Sequence, residues 1–431
     1  MSITEATDFE ELAQELGVGC RTVADMVTCV DMARERSLPL SVRGGAHGLP
    51  GFATNDGGLV ADLSPMHTIE VDSSSRVARA QGGVRWAGYD AATATHGLAS
   101  PGGLVSSTGV GGLTLGGGIG WLRRKFGLAC DNLLAAQVVT ASGEVIRVDD
   151  TEHSDLLWGL RGGGGNFGVV TEFTFAVHPV VDVTAGLAMF PLQRSVEIGA
   201  FYRDYVSGLS DDFSTLLGFF TAPVAEFIPA ELRGEPVVAI LGCHSGDPQD
   251  AQEVLAPIRA LNPAVDLYGP VPYPSWQTAF DADVPPGRRY YFKGGHVTSC
   301  ADTMIDAITE AVLARPSPFS QYHLHHMGGA VARVGSGDTA YSDRDAAFTF
   351  NVIGTWDDPA DDTANQDWAK DLADAMTPHG TGLGYVNFIT DTQTGTELRA
   401  TYGTDRYERL QQLKRRYDPD NLFRLNQNIA P

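Results

Sequence analysis

A glycine-rich segment with a single histidine constrains this chain more than any other feature. An apolar, β-branched strand at 40–43 runs into Arg43-Gly44-Gly45-Ala46-His47-Gly48, and a second glycine turn follows at 54–58. Glycines let the backbone approach a ligand closely, and successive backbone N–H groups form nests that bind anions. The segment therefore predicts an anion-binding turn with an imidazole beside it. A glycine-rich turn in which His47 only forms hydrogen bonds is compatible with the same residues.

Two further glycine clusters, at 102–120 and 159–168, lie between apolar runs. The 50 glycines follow no fixed period, so we expect neither a collagen-like chain nor a repeat array. Clusters of this kind predict backbone that contacts a ligand. A covalently held flavin dinucleotide would use both features of the first segment: amides for its pyrophosphate and an imidazole nitrogen for its isoalloxazine ring.

Composition excludes several classes of protein. The 431 residues, 43% of them hydrophobic, suffice for two or three packed domains. A formal net charge of −23 argues against a nucleic-acid-binding surface and gives no support for binding to anionic membranes. The chain shows no apolar run long enough to span a membrane and no signal-peptide pattern. Five dispersed cysteines without zinc-site spacing predict reduced thiols in a cytoplasmic protein.

The hydrophobic pattern divides the chain into three parts. The first part is predicted to contain helices at 23–36 and 86–96 and a hairpin at 135–148. From about residue 185, apolar strands alternate with helices, which predicts a separate α+β domain with one sheet backed by helices. Its strands are predicted at 186–190, 214–221, 236–243, 289–297, 320–327 and 347–354, and its helices at 194–208, 248–261, 301–314 and 361–376. After residue 385 the character of the first part returns, with a helix at 407–416.

The two later glycine clusters require separate interpretations. The block Gly102–Leu122 is predicted to be neither an ordinary helix nor a strand, because three-residue glycine runs are entropically unfavourable in both. The run Gly163–Gly168 matches G-x-G-x-x-G, but it follows a predicted helix and precedes a strand. A nicotinamide-binding turn needs strand before helix, so we favour a loop over the adenosine end of a flavin. The backbone of Val169 and Val170 would then face the adenine.

Six motifs follow one another along the chain: Arg43–Gly48, 54–58, 109–120, 123–132, 161–168 and Tyr417–Ile429. Together they resemble the FAD-linked oxidases of the berberine bridge enzyme and p-cresol methylhydroxylase (PCMH) type, from about residue 20 to the C-terminus. The resemblance implies an α+β fold with a two-part, PCMH-type FAD-binding domain at 1–184 and 385–431. An inserted substrate-binding domain of antiparallel sheet backed by helices would occupy 185–384. Relatives carry further residues before the equivalent of Arg21, so either this start is shortened or a helix at Thr7–Leu16 replaces the first strand.

The resemblance also implies how FAD is held. The family's glycine-flanked histidine corresponds to His47, which would bond the 8α-methyl group of FAD. Many relatives add a cysteinyl bond from the position held here by Val105, so we expect one covalent link through His47 and none through a cysteine. Cys130 lies too late in the chain for this role and is expected to be a small packed residue. The residues expected to contact FAD are Arg43, Gly44, Gly45, Ala46, His47, Gly48, Gly102, Val105, Thr108, Gly109, Gly112, Gly116, Gly168, Val169, Val170, Tyr385 and Asn387.

The candidates for a catalytic base lie on substrate-domain strands and at the return to the FAD domain. A flavin oxidase needs a base beside the O–H or N–H group of its substrate. Tyr385 is the first choice, because Tyr385–Phe388 resembles a family segment in which a tyrosine serves as base. Lys293 is the second choice, and Tyr291, which shares a strand face with it, is a further candidate. Each could instead be a structural side chain hydrogen-bonded at the domain boundary.

Two other polar clusters have simpler interpretations. Alternation along a strand places His323 and His325 on the face opposite His326, and no carboxylate lies nearby in sequence. We therefore expect no metal site at these histidines. Arg344 and Asp345 are predicted to form an ion pair at the end of a strand.

These inferences predict a flavoprotein oxidase. It would transfer a hydride from an alcohol, sugar, amine or phenolic substrate to covalent FAD and reduce O2 to H2O2, as a monomer or homodimer. Three alternatives remain open at this point. They are an FAD-dependent dehydrogenase with a non-oxygen acceptor, a flavin-loaded binding protein without turnover, and a nicotinamide-dependent enzyme.

Overall fold

The N-terminal region contains a small parallel sheet and a larger antiparallel one. The computed structural model describes residues 18–431, so the helix considered at Thr7–Leu16 lies outside the described residues. The strands of this region are β1 Val18–Gly19, β2 Leu40–Arg43, β3 Leu59–Asp62, β4 Ile69–Asp72, β5 Val77–Gln81, β6 Leu98–Ala99, β7 Leu133–Val139, β8 Val145–Val148, β9 Val169–Ala176 and β10 His178–Pro179. The parallel sheet has the order β1–β3–β2, and the antiparallel sheet has the order β4–β5–β9–β7–β8. Strands β6 and β10 form a separate two-stranded sheet.

From residue 18 onward, these sheets are accompanied by the helices α1 Val23–Glu35, α2 Trp86–Ala94, α3 Val110–Gly116, α4 Arg123–Phe126 and α5 Ser154–Leu160. Helix α1 begins directly after Thr22, the residue predicted to cap it. The Thr22 hydroxyl accepts the backbone N–H of Asp25 (3.1 Å), and the Asp25 carboxylate accepts that of Thr22 (3.0 Å). This reciprocal pair satisfies N–H groups that the helix itself cannot.

The glycine block at 102–122 is only partly irregular. The prediction that it forms neither helix nor strand is wrong for Val110–Gly116, which is the helix α3. A Cβ on Gly111 would lie only 3.3 Å from the Phe173 ring, so the glycine lets this helix pack closely on the antiparallel sheet. The prediction holds from Gly117 onward, because positive φ angles at Gly117 (132°) and Gly118 (90°) end the helix.

The central region is built on one large antiparallel sheet. Its strands are β11 Asp182–Pro191, β12 Phe213–Thr221, β13 Pro236–His244, β14 Val265–Asp266, β15 Gly269–Pro272, β16 Arg289–Val297, β17 Gln321–His326 and β18 Phe348–Trp356. They are arranged in the order β14–β11–β13–β12–β17–β18–β16, with β15 also paired to β11. The helices are α6 Ser195–Val206, α7 Pro248–Ala260, α8 Tyr273–Gln277, α9 Asp302–Ala314, α10 Ala330–Arg333 and α11 Asp362–Ala375. The strands and helices predicted here are confirmed to within a few residues.

The C-terminal segment packs back on the N-terminal region. Its helices are α12 Gly395–Tyr402 and α13 Thr404–Tyr417. Leu398, Leu410 and Leu413 share a buried core with Val138 and Phe173 of the antiparallel sheet. This packing agrees with a domain formed from two ends of the chain. The boundaries at 184/185 and 384/385 stay predictions, and β11 begins at Asp182.

A buried ion pair corrects one prediction and joins the two regions. Arg344 was expected to pair with Asp345, and this is wrong. Its guanidinium donates to both carboxylate oxygens of Asp131, at 2.8 and 2.6 Å, whereas the backbone N–H of Asp345 donates to Asp343. Both Arg344 and Asp131 have nearly fully buried side chains. Within residues 18–431, no helix is both long and apolar enough to cross a membrane.

Candidate active site

A cavity of about 1120 Å³ is lined by residues of both regions. It exceeds the volume typical of a site for one small molecule, so it has room for a dinucleotide and a substrate. Two residues predicted to contact FAD do not line it: the Arg43 side chain is exposed, and Gly102 packs against the Trp86 ring. The others do: Gly44, Gly45, Ala46, His47, Gly48, Val105, Thr108, Gly109, Gly112, Gly116, Gly168, Val169, Val170, Tyr385 and Asn387.

Gly45 and Gly109 bring two glycine-rich segments of the cavity wall into direct backbone contact. A Cβ on either residue would overlap the backbone nitrogen of the other. Ala46, which follows at once, has a φ of 54°, a conformation that L-residues seldom adopt. A Cβ on Gly112 would meet only open space. Bare backbone of this kind, facing a cavity from two sides, fits the pyrophosphate of a dinucleotide.

His47 lies at the cavity wall with one ring nitrogen fixed. Its Nε2 is 2.8 Å from the Ser107 hydroxyl oxygen. Partial desolvation by the cavity wall lowers the pKa of His47, which is still partly exposed; the charge of Arg85 lowers it further, and Asp281 partly opposes the change. The imidazole is therefore neutral at neutral pH and carries the lone pair that a nucleophile needs. Ser107 lies inside the glycine cluster at 102–120, but its residue type gave no signal of this contact.

The edge of the cavity near His47 is closed by a contact between the two regions. The Asp281 carboxylate accepts the backbone N–H of Ser106 at 2.8 Å and its hydroxyl at 2.5 Å. Asp281 and Arg85 also line the cavity. No local pattern could have predicted this contact, because the two residues lie 175 positions apart.

Tyr385 lines the cavity, but its hydroxyl is occupied by the protein. The phenolic oxygen accepts the backbone N–H groups of Gly118 (2.9 Å) and Ile119 (3.3 Å) and the side-chain amide of Asn387 (2.9 Å). Burial raises the pKa of Tyr385 to about 12, and the hydrogen bonds from Gly118, Asn387 and Ile119 only partly offset this effect. A phenol that keeps its proton at neutral pH is a poor general base. These contacts favour a positioning role.

Tyr291 and Lys293 lie outside the cavity. Their side chains meet at Asp391, which accepts the Tyr291 hydroxyl at 2.6 Å and the Lys293 ammonium at 2.6 Å. The alternate residues of the same strand, Tyr290 and Phe292, line the cavity instead. The predicted sharing of a face by Tyr291 and Lys293 is confirmed, but that face points away from the cavity. Their placement speaks against the catalytic roles predicted for them.

The wall formed by the large sheet carries polar residues to which sequence analysis gave no function. His323, His325 and Asn351 line the cavity from β17 and β18, whereas the Nε2 atom of His326 bonds to Arg124 (3.2 Å). The predicted separation of the three histidines between two faces is therefore confirmed. Among the described residues, no group of three or more His, Cys, Asp or Glu side chains could hold a metal ion.

Comparisons with known proteins extend over nearly the whole chain. Residues 15–149 match a family model described as FAD binding domain, and 384–430 match one described as berberine and berberine like. An FAD-linked oxidoreductase of Dictyostelium discoideum is 32% identical over 414 residues, covering 95% of this chain and 87% of that protein. The (R)-6-hydroxynicotine oxidase of Paenarthrobacter nicotinovorans is 30% identical over 439 residues, covering 96% and 90%. The crystal structure of 6-hydroxy-D-nicotine oxidase from Arthrobacter nicotinovorans matches with a TM-score of 0.85 and 27% identity, covering 100% of this chain and 97% of that one.

Proposed function

Because this chain belongs to the FAD-linked oxidoreductases related to berberine bridge enzyme, we propose that it is an oxidase that holds FAD covalently through His47. When bound, FAD accepts a hydride from the substrate and passes the electrons to O2, which yields H2O2. The observation that carries the proposal is the setting of His47. Its neutral imidazole lies on the cavity wall, fixed by Ser107 and close in sequence to the Gly45–Gly109 contact.

Different residues of the cavity would hold different parts of FAD. The backbone at 44–48 and 109–116 would bind the pyrophosphate, and Val169 and Val170 would face the adenine. Val105 supplies no thiol, which supports a single covalent link. Cys130 does not offer a second one, because its side chain is fully buried away from the cavity and burial raises the pKa of its thiol.

The covalent link is tested by peptide mass. Trypsin releases the peptide Gly44–Arg76, which contains His47 and His67. We expect this peptide to carry the mass of FAD in the wild type and in His67→Ala, a matched control within the same peptide. In His47→Ala, denaturation should release all of the yellow cofactor. A flavin-bearing peptide from His47→Ala, or complete release of flavin from the wild type, would refute the proposal.

The electron acceptor is tested separately. An alcohol, sugar or amine that bleaches the flavin without oxygen should yield stoichiometric H2O2 when air is admitted. The similarity to a 6-hydroxynicotine oxidase favours small cyclic compounds as the first candidates. Flavin that is bleached by a substrate but reoxidised only by an artificial acceptor, without peroxide, would identify a dehydrogenase instead.

A further inference from the structure

The substrate side of the cavity is an apolar wall with one polar patch. Strands β12, β13, β16 and β18 contribute apolar side chains, among them Leu216, Leu241, Phe292 and Ile353. The patch within this wall is formed by His323 and His325 of β17 and by Asn351 of β18, which lies opposite His323 in the sheet register. A mostly apolar substrate with one hydrogen-bonding group would match this distribution.

His325 is the member of this patch with unused hydrogen-bonding capacity. Its side chain is 0% exposed, and neither ring nitrogen has a hydrogen-bond partner within residues 18–431. The same holds for the side-chain oxygen of Asn351. By contrast, His323 Nε2 is 2.9 Å from the Gln321 side-chain oxygen. Buried polar groups are normally paired, so two unpaired groups on one cavity wall indicate a ligand that pairs with them.

The surroundings keep His325 neutral. Burial lowers its pKa well below the ordinary value, and the positive charge of Arg123 and the neighbouring His323 lower it further. Arg123 is itself fully buried, and its guanidinium donates to the carbonyl groups of His326 and Gly120, both at 2.9 Å. Tyr385 is the titratable group on the facing segment, where Phe388 contacts both rings. A neutral imidazole can accept a proton, and a nearby buried cation disfavours a positively charged substrate group.

We propose that His325 binds the hydroxyl group of a neutral, largely apolar alcohol and accepts its proton during oxidation, with Asn351 as a second hydrogen-bonding partner. This inference rests on the proposed function. As the carbinol carbon loses its hydride to FAD, the O–H bond breaks, the C–O bond becomes C=O, and the proton moves to an imidazole nitrogen of His325. Tyr385, which already accepts three hydrogen bonds, would only orient the segment at 385–388.

Binding tests the hydroxyl patch without turnover. The probe is 2-phenyl-2-propanol, a tertiary alcohol with no hydrogen on its carbinol carbon, and cumene is the matched compound without the hydroxyl. Calorimetric titration of the FAD-loaded wild type should show tighter binding of the alcohol by at least about tenfold. Asn351→Leu should reduce this preference. Equal affinity for the two compounds in the wild type overturns the assignment.

Anaerobic bleaching of the flavin tests the proton transfer. We expect benzyl alcohol or cyclohexanol to reduce the wild-type flavin faster than benzylamine does, because His325 stays neutral and ready to accept the hydroxyl proton. His325→Gln keeps a hydrogen-bonding side chain but no base, so its rate should fall by about 10²- to 10⁴-fold. His96→Gln, an exposed change outside the cavity, is the control.

The outcomes separate this inference from the proposal on which it rests. An unchanged rate in His325→Gln overturns the inference. The inference is also overturned if benzylamine reduces the flavin of the FAD-loaded wild type and neither alcohol does, or if no alcohol reduces it. These two results come from the wild type, so they do not depend on how the variant folds. A tryptic peptide Gly44–Arg76 without FAD defeats the proposed covalent oxidase itself.

Discussion

The cavity contains two imidazoles in contrasting situations. His47 is held by Ser107 at 2.8 Å, whereas both nitrogens of His325 lack a partner among the described residues. A fixed ring suits a permanent attachment, because the geometry of bond formation is set once. A ring with free nitrogens suits a partner that arrives and leaves in each turnover. Under the two proposals, the neighbours of each histidine suit it to a different task.

The contact between Gly45 and Gly109 leads to a prediction about stability. Gly45→Ala places a methyl group on the backbone of Gly109, which cannot yield as a flexible side chain would. We expect the free energy of unfolding to fall by about 1–3 kcal/mol, with reduced FAD content. Urea denaturation and flavin absorbance measure the two effects. Gly208→Ala, where a Cβ meets nothing within 4 Å, is the control, and equal stabilities of the two variants would contradict the prediction.

The last helix, Thr404–Tyr417, is tied to the N-terminal region by a buried lysine. The Lys414 ammonium donates to Asp418 (2.6 Å) and to the carbonyl groups of Asn166 and Phe423 (both 2.9 Å). Both charged side chains are 0% exposed. Lys414→Met leaves the Asp418 carboxylate buried without its cation, so we expect a loss of about 3–5 kcal/mol in guanidinium denaturation.

Two variants check this interpretation of the helix. Lys414→Met combined with Asp418→Asn should recover part of the loss, because no uncompensated charge remains. Arg399→Met removes an exposed ion pair with Glu408 and should change stability by less than about 1 kcal/mol. If Lys414→Met is as mild as Arg399→Met, the buried pair does not anchor the helix.

Helices and strands with a clear hydrophobic period could be predicted from the sequence, whereas elements that depend on close packing between distant residues could not. The alternation in Gln321–His326 predicts a strand with two distinct faces, because side chains on a strand point to opposite sides. Helix Val110–Gly116 escaped prediction, since glycine disfavours helices and the close packing of Gly111 on Phe173 is not visible in the sequence. The pairing of Arg344 with Asp131 escaped for a related reason: 213 positions separate them.

For the molecule as a whole, the part of the site that could be predicted from the sequence is the FAD side, which is formed by backbone. Gly45 and Gly109 lie in glycine-rich segments that are visible in the sequence, and glycine allows the backbone to approach a ligand closely. The FAD side could therefore be predicted. The substrate side is a face of the large sheet, and its neighbours come from distant strands. Leu216, for example, faces His325 across β12 and β17. Only the assembled sheet shows which polar side chains lack a partner.

A buried carboxyl at the contact between the two regions predicts how stability depends on pH. Asp90, on the helix Trp86–Ala94, is 2% exposed, and one of its oxygens accepts the Gln277 amide of the central region at 3.2 Å. Burial raises the pKa of Asp90 from 3.8 to about 7, and the bond from Gln277 only partly offsets this. The unfolded chain therefore releases this proton near pH 4 and the folded chain near pH 7. The stabilising contribution of Asp90 is full below about pH 4, declines between about 4 and 7, and is lost above that range.

The rise in pKa corresponds to about 4 kcal/mol, which sets the scale of the test. Asp90→Asn stays neutral at every pH, so its stability relative to the wild type should increase from about pH 4 to about pH 8, by up to that amount. Urea denaturation of both proteins at several pH values measures the difference, in which the titration of all other groups cancels. A difference that does not change with pH would mean that Asp90 is ionised in the folded protein. The two regions would then have to open at their contact enough to hydrate the carboxylate.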